Sequence, residues 1–294
     1  MSHETSGANW RWDDADSGIR TLWFDRPGRV QNVLDEHALD DLEACLVEVE
    51  QDRTVRGLVI RSAKPAGFCA GLDPERILAL QSPVEAEALV RRGLAVLDHL
   101  AALAIPTLAV LHGSCFGSGL ELALACRRRA ALASAAPLQI ALPEVHFGLI
   151  PAWGAISRIP HLIGPEEGLD LLITGRSIGY LLARSLGIVD RLASEVDSIE
   201  SLGLLSNEPA ADTPWPKDAW DEAWNRARER IDLQPGEHPE AQFQILTIVA
   251  IDVAHGPGAA REATVRALAE MATSEVVKEY LLAFVARGEN ATQA

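Results

Sequence analysis

The stretch His112-Gly113-Ser114-Cys115-Phe116-Gly117-Ser118-Gly119-Leu120-Glu121-Leu122-Ala123-Leu124-Ala125-Cys126 decides how the rest of this 294-residue chain is read. It is glycine-rich over 113–119. Beyond that it carries no polar side chain except Glu121 until Arg127. A segment apolar on every side is a buried helix. The loop before it ends at a helix N-terminus, where the first N–H groups have no internal partner and face the positive end of the dipole. Arg127-Arg128-Arg129 stands where the C-terminus of that helix is expected, on the side the dipole favours for cations.

Outward from this segment, strands and helices alternate. Ile19 to Phe24 reads as a strand followed by a turn at Arg26-Pro27-Gly28. Asp35 is placed to cap a helix over 36–51, with Leu39, Leu42, Leu46 and Val49 on one stripe. The unbroken apolar run Leu58-Val59-Ile60 predicts a strand over 57–62 buried on both faces. A short helix from Pro74, a longer one over about 83–103, strands at 107–111 and 138–141, and helices near 164–174 and 179–186 complete the series. Such alternation implies an α/β fold with crossover connections. Composition shifts at 203–216, a linker signature, so the chain divides into a core over 1–202 and a linker with a helical region over 203–294. Helices are expected there at 217–231, 238–254 and 259–286, with Trp220 and Trp224 packing one helix face.

Charge and composition exclude several classes. With 26 Lys+Arg against 42 Asp+Glu the net charge is −16, and no basic face is present for a nucleic acid. A small anionic ligand needs only a few local donors and stays open. Cys45, Cys69, Cys115 and Cys126 form no Cys-x-x-Cys, which fits a reducing compartment. Met1 to Trp12 holds no apolar core of a signal peptide, and the apolar runs fall short of the ~20 residues of a membrane span. A cytoplasmic protein is the expectation. The eight histidines make no pair at i, i+3 or i+4, so no metal site is expected.

Three constellations have chemical potential. Glu121 and Glu144 each lie among apolar neighbours, where an ionised carboxylate costs several kcal/mol unless paired or hydrogen-bonded. A helix cap or a buried arginine is the bland reason for either one. If the two meet in space, repulsion and desolvation leave an acid beside a base near neutral pH. The loop Gly117-Ser118-Gly119 offers backbone donors for an anion or a developing oxyanion, or is simply a tight turn. It is not a dinucleotide fingerprint, because Leu122 stands at the third glycine's place, and no Gly-Lys-Ser/Thr follows. Finally, Gly67-Phe68-Cys69-Ala70-Gly71 fits Gly-x-nucleophile-x-Gly, with His112 or His146 as the base. Ala63-Lys64-Pro65-Ala66 separate it from the end of the preceding strand, however, whereas a nucleophile elbow turns directly off the strand end.

Together these motifs resemble the crotonase (enoyl-CoA hydratase/isomerase) family, and within it the hydratase portion of multifunctional fatty-acid-oxidation α-subunits. The resemblance runs through Arg26-Pro27, Asn32-Val33-Leu34, Phe68-Cys69-Ala70-Gly71-Leu72-Asp73 and His112-Gly113 to Ala123. It continues through Leu142-Pro143-Glu144-Val145, Gly148-Leu149-Ile150-Pro151, Thr174-Gly175-Arg176 and Ala183 to Asp190.

The resemblance implies a ClpP-like spiral of ββα units with a C-terminal helical trimerisation region, assembled as a homotrimer or as a hexamer built from two trimers. It implies that the backbone N–H groups of Leu72 and Ser118 hold a thioester carbonyl oxygen. Glu121 would help activate water and Glu144 would deliver the proton. Ala70, Asp73 and Arg29 would meet the coenzyme A moiety, which arrives as part of an acyl-CoA substrate, so that no cofactor is needed. Two departures matter. Ser118 stands where the family has a middle glycine, and Ala152-Trp153 follow Pro151 where it favours Gly-x-Gly-Gly, at positions that shape the acyl pocket. The reading is an enoyl-CoA hydratase. An isomerase of the same family, or a silent acyl-CoA-binding or assembly subunit, stands as the alternative.

Overall fold

The computed structural model describes residues 9–14, 18–133, 136–194, 203 and 215–292. The chain forms two compact units: one made of 1–71, 93–141 and 177–212, the other of 72–92, 142–176 and 213–294.

The first unit holds two sheets. The larger runs in the order β1 (Trp10–Asp14), β2 (Ile19–Phe24), β3 (Gly57–Ser62), β5 (Thr107–Leu111), β7 (Arg128–Leu132) and β10 (Arg191–Ala193). Its β1–β2 pair is antiparallel and the remaining pairs are parallel. The smaller sheet runs β4 (Gly67–Cys69), β6 (Ser114–Phe116), β8 (Gln139–Ala141) and β9 (Ile178–Gly179). Since β3 leads into β4, β5 into β6 and β7 into β8, three successive turns of chain each give one strand to each sheet. Leu58, Val59 and Ile60 are wholly buried, as their unbroken apolar run requires.

The helices of this unit follow their sequence signals closely. Helix α1 spans Glu36–Gln51, and the Asp35 carboxylate accepts from the Ala38 amide at 2.9 Å. Its stripe of Leu39, Leu42, Leu46 and Val49 is buried. Helix α4 spans Ser118–Ala125 with all eight residues buried, and α7 spans Tyr180–Leu186.

The three arginines after Cys126 do not close α4. The backbone turns extended at Cys126, and Arg128 and Arg129 open β7 instead. The reason is non-local. The Asp190 carboxylate accepts from the Arg129 amide at 2.8 Å and pairs with Arg128 at 3.0 Å. Arg129 is buried and donates to the carbonyls of Cys126 and Ile188. Burial pushes its guanidinium pKa down, and the neighbouring Asp190 opposes that shift.

In the second unit the described elements are helical. They are α2 (Pro74–Leu78), residues 83–92 of α3 (Pro83–Ala102), a 3-10 helix (Pro143–Phe147), α5 (Ala155–Ile163), α6 (Pro165–Thr174), α8 (Lys217–Leu233), α9 (Pro239–His255), α10 (Pro257–Met271) and α11 (Glu275–Thr292). Helix α6 packs on α5, α8 and α9, and α9 packs on α10. Trp220 is buried beside the His161 ring, and the Trp224 indole donates to the Leu246 carbonyl at 3.1 Å, so both serve helix packing.

One expectation changes here. A single helix over 259–286 is two, because the chain restarts at Ser274, whose hydroxyl accepts from the Val277 amide as an N-cap. Helix α5, for which the sequence carries no expectation, forms despite Pro160 inside it. The linker region at 203–216 is described only at Gly203, Trp215 and Pro216. Among the described residues, no helix is long and apolar enough to cross a membrane.

Candidate active site

The first unit brings two loops of the predicted site together. Gly117, with φ 50° and ψ −125°, lies in a region open essentially to glycine and turns the chain from β6 into α4. Its amide is held by the Ala141 carbonyl at 2.9 Å, and its own carbonyl accepts from Leu120 and Glu121. That fixes the first turn of α4, including the amides of Ser118 and Gly119, which lie at the positive end of the helix. Gly71 (φ 108°) lies against this turn: a Cβ built on it would stand 3.0 Å from the Phe116 carbonyl oxygen and 3.4 Å from the Ser118 nitrogen. Gly119 lies against Cys69 in the same way. Glu121, three residues after Ser118, is fully buried in that first turn.

Segment 68–71 is itself pinned. The Ala70 amide donates to the Asn32 carbonyl at 2.9 Å, and the Leu34 amide donates to the Gly71 carbonyl at 2.8 Å. Sequence patterning assigns Asn32 no role beyond its motif, yet it is fully buried and its side chain bonds in four directions. Its neighbours Gln31 and Val33 mark it no more than any turn asparagine, so the sequence offers no signal for it. Arg29 lies on the exposed turn after Arg26. Arg26 is tied up with the Asp35 carboxylate.

Glu144, Leu72, Asp73, Ala152 and Trp153 belong to the second unit. Glu144 sits in the first turn of the 3-10 helix. Its carbonyl accepts from Leu149 at 3.0 Å, and left-handed Gly148 closes the turn. The residue is half-buried, with Oε2 shut off from solvent. Asp73 is buried and caps α2, accepting from the Glu75 amide at 3.0 Å. Trp153 is fully buried and Ala152 nearly so; the Trp153 carbonyl accepts from Arg158 at 2.8 Å.

The cysteine-nucleophile alternative is excluded by the surroundings of Cys69. The residue is a member of β4 with 1% exposure, and burial pushes its thiol up to about 12. A thiol held protonated and shut off from solvent is not a nucleophile. Its neighbour in register, Cys115, is also driven well above the usual thiol range by burial. His112 is committed to the Lys64 carbonyl at 2.8 Å, and His146 is exposed in the second unit.

Comparison with known proteins decides the family. Residues 14–243 match the family model for enoyl-CoA hydratase/isomerase. The chain belongs to this family. A curated relative, the fatty acid oxidation complex subunit alpha of Shewanella amazonensis, is 38% identical over 180 residues, which are 61% of this chain and 25% of the relative. The matched part thus spans about a quarter of the length of such relatives. The crystal structure of enoyl-CoA hydratase from Bacillus anthracis aligns with a TM-score of 0.59 at 24% identity, covering 87% of this chain and 89% of that one. That of enoyl-CoA hydratase from Bacillus halodurans gives 0.67 at 18% identity over 94% and 100%. At those identities the structures establish the crotonase fold, which the strand-by-strand exchange between two sheets already embodies.

Proposed function

We propose that this crotonase-family chain is an enoyl-CoA hydratase, adding water across the double bond of a 2-enoyl-CoA thioester. The observation that carries the reading is the first turn of α4, where Gly71 abuts the Ser118 amide and the buried Glu121 follows within the same turn. As water adds at the β-carbon, electron density moves onto the thioester oxygen as an enolate. Two preorganised amides stabilise that charge, and a lost donor of this kind costs roughly 2.7–4 kcal/mol of barrier. In the proposal these are Ser118 and Leu72, the residue next to Gly71. Glu121 takes a proton from water as it attacks, and Glu144 gives one to the α-carbon. Water's two fragments end on neighbouring carbons, and no cofactor is consumed. Ala70, Asp73 and Arg29 are proposed to meet the coenzyme A portion. Ala152 and Trp153 are proposed to shape the acyl pocket, and the assembly is proposed to be a trimer or a pair of trimers.

Retention of both carboxylates favours hydration over isomerisation, since moving a double bond needs no water-activating partner. The test is turnover on 2-enoyl-CoAs of graded chain length, followed by loss of the conjugated thioester absorbance and by identification of the 3-hydroxyacyl product. Glu144→Gln is expected to abolish all turnover, and Glu121→Gln to abolish hydration while sparing any double-bond migration. Thioester binding with no turnover on any chain length would instead establish a silent binding subunit.

A further inference from the structure

The side chain of Asn32 sits where the ends of β2 and β3 meet β4 in the first unit. Its Oδ1 accepts from the Arg26 amide at 2.8 Å. Its Nδ2 lies 2.9 Å from the Phe24 carbonyl at the end of β2, 2.9 Å from Ser62 Oγ at the end of β3, and 3.2 Å from the Phe68 carbonyl inside β4. The Ser62 hydroxyl is saturated as well, donating to the Gly67 carbonyl at 2.6 Å and accepting from the Lys64 amide at 3.0 Å. The Asn32 main chain then holds Ala70, and Leu34, two residues on, holds Gly71. One fully buried residue therefore ties the ends of two strands of the large sheet to segment 68–71, the segment that presses Gly71 against the Ser118 amide.

We infer that Asn32, with Ser62 behind it, is a positioning residue for the oxyanion site: it sets where segment 68–71 stands relative to Ser118. The inference rests on the hydratase reading above. Only a primary amide fits the position. It presents one acceptor to the Arg26 amide and two N–H bonds to three surrounding oxygens. A carboxylate at the same place would turn an acceptor toward two carbonyls, and an aliphatic side chain would leave them without their buried donor. The asparagine touches no substrate. Its effect is expected in how strongly the bound carbonyl is polarised, and much less in how tightly coenzyme A is held.

The experiment compares parent, Asn32→Ala and the milder Ser62→Ala, which removes one hydroxyl and keeps the amide. Leu46→Ala serves as a destabilising control in the buried stripe of α1 that shares none of these hydrogen bonds. Each is bound to an unreactive thioester analogue of coenzyme A, and the carbonyl stretch is read by difference infrared spectroscopy alongside KM and kcat. The parent is expected to lower the stretch relative to free thioester. Asn32→Ala is expected to lose most of that shift and on the order of 100-fold in kcat, as misplacement by about an ångström does, with KM within about threefold. Ser62→Ala should lie between, and Leu46→Ala should keep the parent's shift.

If Asn32→Ala and Ser62→Ala both melt earlier yet retain the parent's carbonyl shift, Asn32 is merely structural and the inference is overturned. If Leu46→Ala loses the shift equally, general loosening explains the effect and the inference is overturned. A parent that leaves the stretch at its free value overturns the oxyanion site itself, and this inference with it.

Discussion

Replacing Gly119 with alanine should push the first turn of α4 off its seat. A Cβ at this position would stand 2.5 Å from the Cys69 carbonyl oxygen, 2.8 Å from Cys69 Cβ and 3.0 Å from the Cys69 carbonyl carbon. Real Cβ atoms essentially never come within 3.0 Å of a neighbour, so opening 2.5 to 3.0 Å demands a shift of at least 0.5 Å. None of the three atoms is a flexible side-chain end, and β4 is held by pairing with β6 and by Asn32. The helix must give, and Ser118 moves with it. In stability, alanine gains up to about 1 kcal/mol of helix propensity over glycine, against about 1–3 kcal/mol for overpacking. With the full propensity gain subtracted, the net is a loss of up to about 2 kcal/mol. In rate, if an ångström of misplacement costs about 100-fold, half of that costs roughly tenfold in kcat.

A matched control exists in the same chain. Gly258 occupies the same second position of α10, after Pro257, and a Cβ there meets nothing within 4 Å. Urea denaturation and steady-state hydration of a 2-enoyl-CoA on both variants isolate the clash from the propensity. Gly258→Ala should match or slightly exceed the parent in both. If Gly119→Ala is as stable and as fast as Gly258→Ala, the close seating of α4 on β4 has no bearing on either stability or rate, and the reasoning fails.

Three further outcomes follow from buried groups. Asp190→Ala leaves the buried Arg129 guanidinium without its counter-charge and should cost about 3–5 kcal/mol in urea melts; a loss below 1 kcal/mol would mean that the three carbonyl and carboxylate contacts of Arg129 are not acting together. Burial raises the Cys69 thiol from about 9 to about 12, so the folded state keeps a proton that the unfolded chain gives up. That share of stability is complete below pH 9 and is lost as pH climbs toward 12. Melts at pH 8 and pH 10.5 should show the decline, and Cys69→Ala should make it shallower. Native chain at pH 8 should also leave Cys69 and Cys115 unalkylated by iodoacetamide, whereas denatured chain labels all four cysteines.

Much of the fold was legible because its causes are local. The Asp35 cap and the Leu39-Leu42-Leu46-Val49 stripe lie within one helix, and α1 falls at 36–51 as they dictate. The run Leu58 to Ile60 needs no partner to identify a doubly covered strand. Three-residue strands such as β4 and β6 left no such trace, because a period of two cannot register over so short a span between glycines. The arginines at 127–129 follow directly on the end of α4 as expected, but that two of them open a strand depends on Asp190, some sixty residues away. Helix α5 carries Pro160 and tolerates the loss of one N–H within nine residues, and the break between α10 and α11 is set by the Ser274 cap.

At the candidate site, Glu121 and the Gly117–Gly119 loop stood out as residue types in unfavourable surroundings. Asn32 did not, because its importance lies in which strand ends surround it, and that is settled only when β2, β3 and β4 converge. The same holds for Gly71, whose value is a neighbour forty-seven positions along the chain.

The most direct measurement is a crystal structure of the complex with an unreactive 2-enoyl thioester analogue of coenzyme A. The expected result puts the carbonyl oxygen about 2.7–3.1 Å from both the Ser118 and the Leu72 amides, with the Glu121 and Glu144 carboxylates on one side of the acyl chain, reaching its β- and α-carbons. A thioester seated away from the N-terminus of α4, or either carboxylate salt-bridged out of reach of the acyl carbons, would contradict it.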